Sequence, residues 1–171
     1  MPLRSVLSAL GLHVFADMFG DGLDEGAGAQ ALDFGALGKG LPLICYEAVF
    51  AHYVGAAIDR PDFLIQLTND AWFGTFAGPK QHLAQAKMRA IEQGLPMARA
   101  ANTGISAMID PYGRVLNSLA LNEAGFVDGL LPKPLPPTVY SALGDLPIMI
   151  LLLSVVFITL LQKMTFGRSR E

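Results

Sequence analysis

Short apolar runs bounded by turn residues dominate the first three quarters of the chain, and one unbroken apolar run follows them. Residues 41–45 (LPLIC) are short enough and apolar enough for a buried strand. From Glu47 onward, Val49, Phe50, Tyr53, Val54, Ala57 and Ile58 recur at helical spacing, so the pattern predicts a strand that hands over to a helix at Cys45. Residues 63–68 predict a second buried strand that ends in an Asn-Asp loop. After GPKQ, the residues Leu83, Ala84, Met88, Ile91 and Leu95 mark one face of a helix, with Pro79 suited to its first turn and Gly94 near its end.

Further strands are predicted at 97–101, 106–109 and 114–119, the last two joined by the turn DPYG. A strand near 126–131 then leads into PKPLPP, a stiff extended linker. Upstream, residues 21–40 are rich in Gly and Ala and read mostly as loop and hairpin, with a strand at 29–34. The opening twenty residues are apolar, but Asp17 interrupts them and no small-x-small cleavage pattern follows, which argues against a signal peptide. Strands alternating with helices, then a run of strands, predict a layered α/β domain. The expected division is a partial domain at 1–131, a linker at 132–145, a membrane helix at 146–166 and a tail at 167–171.

The run LPIMILLLSVVFITLL carries no charge from Leu146 to Leu161, but at ~1.5 Å per residue it reaches only about 24 Å. Counting from Pro147 to Phe166, with Lys163 extending its ammonium to the interface, gives about 30 Å, the thickness of a hydrocarbon core. A buried core helix is the alternative, and the absence of any polar face weighs against it. Lys163, Arg168 and Arg170 follow the run, whereas Lys133 alone stands close before it. That imbalance predicts a cytoplasmic C-terminus, with the α/β domain on the periplasmic side of a bacterial inner membrane.

Composition narrows the choice. Hydrophobic residues make up 52% and charged residues 16% of 171, which is apolar for a soluble domain and agrees with a lipid-facing segment. A net charge of −3 without a basic block gives no nucleic-acid footprint. One cysteine excludes an internal disulfide and a Cys-rich zinc site, and nothing in the chain calls for a metal or cofactor.

Cys45 is the candidate for chemistry. A strand end offers exposure, the N–H groups of a following helix favour thiolate, and the Tyr46 N–H is placed to stabilise an oxyanion. The alternative is a structural cysteine. A Cys–His pair is the usual expectation, but His52 lies seven residues on, about 10 Å along a helix. His13 and His82 read as structural. Glu47 reads as a first-turn acid that orients a neighbour, because a like charge beside a thiolate makes a poor sole base.

The segments ICYE, LTNDAWFG and HLAQAKMRAIEQGLPMARAANTGISAMIDPYGRV closely resemble the C-terminal part of the apolipoprotein N-acyltransferases, a membrane branch of the nitrilase (carbon–nitrogen hydrolase) superfamily. The likeness runs well from Leu41 to the C-terminus and loosely before it. It implies the C-terminal portion of a nitrilase-like α-β-β-α sandwich, followed by one transmembrane helix. It makes Cys45 the nucleophile that carries a fatty acyl thioester, with Tyr46 and Glu47 as supporting residues. Asn69, Asp70, Trp72 and Phe73 would border the acyl site, or else serve as turn cap and core aromatics. The implied donor is a phospholipid, typically phosphatidylethanolamine, and the implied acceptor is the α-amino group of a diacylglyceryl-cysteine lipoprotein.

The same family uses a Glu base, an oxyanion Lys and a second Glu in a PFGEY-like segment, all upstream of the cysteine. This chain has no such segment, and Lys39 does not match the lysine. The expectation is that the proton acceptor lies before Met1 and that the chain alone is catalytically silent. A membrane-tethered amidase acting on small amides, or a non-catalytic binding remnant, are the competing readings.

Overall fold

The computed structural model describes residues 28–168, with side chains through residue 163. His13, the opening apolar stretch and residues 169–171 lie outside the described residues. Six strands form a single sheet in chain order: β1 (Leu32–Asp33), β2 (Lys39–Ile44), β3 (Phe63–Asn69), β4 (Met97–Asn102), β5 (Ser106–Ile109) and β6 (Val115–Leu119). The central pairs β2–β3 and β3–β4 are parallel, and the flanking pairs are antiparallel.

Parallel pairing requires crossovers, and the helices provide them. A tight turn (Cys45–Val49) and the one-turn helix α1 (Ala51–Val54) connect β2 to β3; a second tight turn (Asp70–Phe73) and α2 (Gly78–Gln93) connect β3 to β4. Two helices follow, the short α3 (Val139–Leu143) and then the long α4 (Leu146–Arg168). The expected α/β class holds.

The core lies between one face of the sheet and α2. Leu41, Leu43, Leu64, Met97, Ala107 and Ile109 point from the strands toward Ala86 and Ala90, small residues that let the helix approach closely. The expected helix is present, but only part of its expected face is buried. His82, Ala86, Arg89, Ala90 and Gln93 are buried and Leu83 packs on the core, while Met88 and Ile91 are about half exposed. The opposite face of the sheet is open and apolar, with a groove of about 350 Å³ lined by Ile65, Leu67, Ala98, Ala100, Met108 and Phe126.

Three other expectations change. The helix from Glu47 shortens to a turn and α1, so Ile58 is exposed, although Ala57 still packs on the core. The strand expected at 29–34 contracts to β1. No strand forms at 126–131, where the chain finds no ladder partner beyond β6.

The linker is tied to the C-terminal end of α2. Leu135 N–H donates to the Gly94 carbonyl (2.9 Å), and Arg60 Nη2 donates to the carbonyls of Gln93 (3.0 Å) and Leu135 (2.8 Å). Thr138 Oγ1 donates to the Glu92 carbonyl and caps α3 by accepting Ser141 N–H. Gly94 ends α2 in the left-handed conformation (φ +63°), and a Cβ there would crowd Thr138 and Pro136. Beyond this anchorage, α4 offers an 18-residue apolar window, Leu146–Lys163, none of it buried against the protein. By length and composition it is long and apolar enough to cross a membrane.

Candidate active site

Parallel strands bring their C-terminal ends to one edge. Ile44 is in register with Leu67, and Asn69 with Asn102, so the segments after β2, β3 and β4 converge there. Crevices at the carboxyl ends of parallel strands are where open α/β sheets bind ligands.

Cys45 is the first residue beyond β2 and is partly exposed. Its φ is +53°, a left-handed conformation that costs a non-glycine residue about 1–2 kcal/mol. Bonds on either side hold it there. The Ile44 N–H donates to Glu47 Oε2 (2.7 Å), and the Cys45 carbonyl accepts from Gln66 Nε2 (3.2 Å). Strain that neighbouring structure enforces is a feature of functional positions. A five-residue turn, rather than a full helix, follows the cysteine, so the dipole that the sequence pattern suggested reduces to a few leading N–H groups.

Tyr46 is half exposed and packs edge-on against Phe50 (5.6 Å between centroids). Glu47 faces Tyr53, whose phenol is raised above its ordinary value by burial first and then by the Glu47 carboxylate. His52 is exposed against Phe50, away from Cys45. Among the described residues, no carboxylate or imidazole hydrogen-bonds the Cys45 thiol.

The loop after β3 divides between surface and interior. Asn69 Oδ1 caps the turn by accepting Ala71 N–H (3.2 Å) and also accepts from Asn102 Nδ2 (3.0 Å). Trp72 is 83% exposed and is therefore no core aromatic; Phe73 is partly buried, with its ring edge-on to His82 at 5.3 Å. Asp70 is fully buried and turns its carboxylate inward.

That carboxylate sits in a polar cluster that sequence reasoning missed. Asp70 Oδ1 accepts from Thr68 Oγ1 (3.1 Å) and pairs with His82 Nδ1 (2.8 Å), and Oδ2 accepts from Arg99 Nη2 (2.6 Å). Arg99 also donates Nη1 to Gln66 Oε1 and Nε to the Ile105 carbonyl (3.1 Å). Gln66 Nε2 contacts His82 Nε2 (3.0 Å) as well as Cys45. Burial pulls the Arg99 guanidinium below its ordinary value, while the Asp70 carboxylate and then the Cys45 thiol group pull it back up. The signal was available: a Gln within FLIQLT and an Arg within MARAAN fall on the inward positions of buried strands.

The sheet is thus of the mixed α/β class, with a left-handed, partly exposed cysteine at the common edge of its parallel strands. The carbon–nitrogen hydrolase family model matches residues 13–132, and the chain belongs to that family. The apolipoprotein N-acyltransferase of Rhodopseudomonas palustris is 44% identical over 163 residues, covering 95% of this chain and 30% of that protein. The apolipoprotein N-acyltransferase of Brucella melitensis is 47% identical over 137 residues, covering 80% of this chain and 26% of its own. The resemblance seen in the sequence is thus borne out, and the chain spans about 30% or less of the length of these relatives. Among solved structures, the amidase from Nesterenkonia sp. AN1, with acrylamide added at its active-site cysteine, is similar at 24% identity and a TM-score of 0.48. The match covers 58% of this chain and 41% of that one.

Proposed function

We propose that this chain is the nucleophile-bearing part of an apolipoprotein N-acyltransferase, with Cys45 carrying the acyl group. The observation behind this reading is the left-handed Cys45 at the strand edge, pinned by Glu47 and Gln66, in a chain 44% identical to proteins of that name.

In the first step the Cys45 thiolate attacks an ester carbonyl of a phospholipid, phosphatidylethanolamine being the expected donor. The C–S bond forms, the ester C–O bond breaks, and the lysophospholipid leaves with a proton on its released hydroxyl. In the second step the α-amine of a diacylglyceryl-cysteine lipoprotein attacks the thioester. The C–N bond forms, the C–S bond breaks, the thiolate returns and the amine gives up a proton. Each step passes through a tetrahedral oxyanion, and the Tyr46 N–H just beyond the nucleophile is suited to meet it. Glu47 sets the local backbone. Asn69, Trp72 and Phe73 border the acyl chain, with exposed Trp72 as apolar rim, and Asp70 supports that loop from beneath.

Both substrates are lipids, which gives α4 its purpose. As a transmembrane helix spanning about 146–166, with its C-terminus cytoplasmic, it holds the periplasmic domain at the inner-membrane interface where ester groups lie. The linker's ties to α2 transmit that anchorage to the sheet. The open apolar face fits the expected sandwich, in which a second sheet layer covers it. The thiol's general base and an oxyanion lysine would come from outside the described residues, so the 171-residue chain by itself is expected to be silent.

The test uses membranes from cells expressing the gene's whole reading frame, given phospholipid with a labelled fatty acid and a synthetic diacylglyceryl lipopeptide. A hydroxylamine-sensitive acyl mass on Cys45, label passed to the peptide's α-amine, and loss of both in Cys45→Ser support the reading. Ammonia released from simple amides without acyl transfer would replace it with an amidase. A Cys45→Ser protein that retains every phenotype would make it a non-catalytic binding domain.

A further inference from the structure

Gln66, Asp70, His82 and Arg99 are almost wholly buried, and they come from three different elements and a turn. Two opposite charges and an amide taken out of water seldom stabilise more than apolar residues of the same size, so stability alone gives no reason for the cluster. Its contacts do. Apart from the bonds among themselves, the four reach Thr68 of β3, the Ile105 carbonyl and, through Gln66, the backbone of Cys45.

The donors and acceptors of this cluster admit one arrangement. Arg99 has only donors, so the Gln66 group facing it must be the carbonyl Oε1. The Gln66 amide nitrogen then points the other way with two hydrogens. One goes to the Cys45 carbonyl (3.2 Å) and the other to His82 Nε2 (3.0 Å). His82 Nε2 is therefore an acceptor, its ring proton sits on Nδ1, and Nδ1 donates to Asp70 Oδ1 (2.8 Å). Asp70 closes the ring by accepting from Arg99 Nη2 (2.6 Å). Turning the Gln66 amide over would set N–H against N–H at Arg99, so the donor aimed at Cys45 cannot rotate away.

We propose that Gln66 is a positioning residue for Cys45, and that His82, Asp70 and Arg99 lock its amide so that the left-handed backbone of Cys45 holds the thiol toward the substrate crevice. This rests on the reading of Cys45 as the acyl carrier. None of the four touches the thiol by hydrogen bond. Gln66 works through the carbonyl, and the other three work through Gln66. His82 is thus neither an idle core histidine nor the missing base; it is the acceptor that orients an amide.

Three variants separate positioning from mere packing. Gln66→Glu keeps an oxygen for Arg99 but presents oxygen, not N–H, to the Cys45 carbonyl. His82→Gln can place its side-chain carbonyl where Nε2 was and keep the acceptor for Gln66. His82→Asn is long enough only for the Nδ1 contact with Asp70. In membranes carrying the gene's whole reading frame, Gln66→Glu and His82→Asn should each lower kcat for acyl loading by about tenfold or more, the scale of a small misplacement of a reacting group, with KM for phospholipid unchanged. His82→Gln should recover most of the loss.

Equal effects of the two His82 variants, or a Gln66→Glu protein with unaltered kcat, would overturn the proposal. Should Gln66→Glu fail to fold, the His82 pair still decides. Alkylation of Cys45 by iodoacetamide, read by mass on its peptide, is independent of the reaction. If wild type loads no acyl group and alkylation still ranks the variants in the same order, the positioning role stands and the acyltransferase reading fails. If acyl loading occurs and neither kcat nor alkylation follows that order, the positioning role fails alone.

Discussion

The Glu47 carboxylate accepts the Ile44 N–H at 2.7 Å, so the residue before Cys45 is tied to a residue after it and the strained cysteine sits inside a closed loop. Its function is the glutamate half of a helix-capping box, moved onto a five-residue turn. Glu47→Ala leaves the Ile44 N–H to water, a loss of about 0.5–1.5 kcal/mol, and lets Cys45 relax toward negative φ. Acyl loading of Cys45 should fall by about tenfold or more, with Glu47→Gln between the variant and wild type because a neutral acceptor bonds about half as strongly. Labelled phospholipid and a mass readout on the Cys45 peptide measure it. An Ala variant that loads at the wild-type rate would show that this bond does not set the backbone of Cys45.

Gly104 makes room for Asp70. A Cβ at residue 104 would lie 2.7 Å from the Asp70 Cβ and overlap the carboxylate itself. Gly104→Ala therefore pushes Asp70 off Arg99 and His82. Overpacking of this kind typically costs about 1–3 kcal/mol, and the orientation of Gln66 goes with it. The melting midpoint and the Cys45 alkylation rate should fall together. A variant with a lower midpoint and unchanged alkylation would limit Gly104 to packing.

Strands β2 to β6 and the DPYG hairpin were legible because their signals are local: apolar runs of strand length, and a turn whose Asp, Pro and Gly each have a preferred position. The face of α2 was not. Met88 and Ile91, expected on the buried stripe, are about half exposed, whereas the buried positions are His82, Ala86, Arg89, Ala90 and Gln93, with Leu83 packed on the core beside them. Small alanines allow close packing there, and His82 and Arg89 find partners distant in sequence: Gln66 and Asp70 for His82, and the Val49 carbonyl for Arg89 Nη1 (2.8 Å). Periodicity measures how apolar a face is; it cannot register such pairings. The same limit explains the candidate site. Cys45, Glu47 and Asn69 are visible as a strand end and turn caps, whereas the tie from Gln66 spans 21 residues and depends on parallel pairing of β2 with β3.

Asp110 gives the fold a pH dependence of known sign. Burial acts to raise its carboxyl, but hydrogen bonds from the Arg114 N–H and side chain, the Tyr112 N–H and the Arg114 charge outweigh it and hold the carboxyl below its ordinary value. A depressed folded-state value means that the stabilisation is complete above the unfolded aspartate value of about 4 and is lost as pH falls through the folded one. Arg114 is largely exposed, so the two backbone bonds carry more of the effect than the ion pair. Asp110→Asn should lower stability by about 1 kcal/mol at neutral pH, and the gap from wild type should narrow as the pH falls below the unfolded value of about 4. Melting curves across pH 2.5–7, a range on the order of the carboxylate titration, test it. A gap that persists unchanged into acid would assign the loss to shape rather than charge.

The linker ties join the segment that precedes the apolar α4 to the helix that carries His82. Arg60→Ala removes both donations to the Gln93 and Leu135 carbonyls, and Thr138→Ala removes a helix cap and the bond to the Glu92 carbonyl; each should cost about 1 kcal/mol. Both act on one docking surface at the end of α2, so the double variant should cost less than the sum: once the linker is released, the second tie has nothing left to hold. Protease cleavage between residues 132 and 138 in intact membranes should rise steeply in either variant, while Cys45 alkylation, set at the far end of α2, stays near wild type. Cleavage that rises only in the double variant would mean that either tie suffices. Alkylation that falls with cleavage would mean that the anchor also shapes the site through α2.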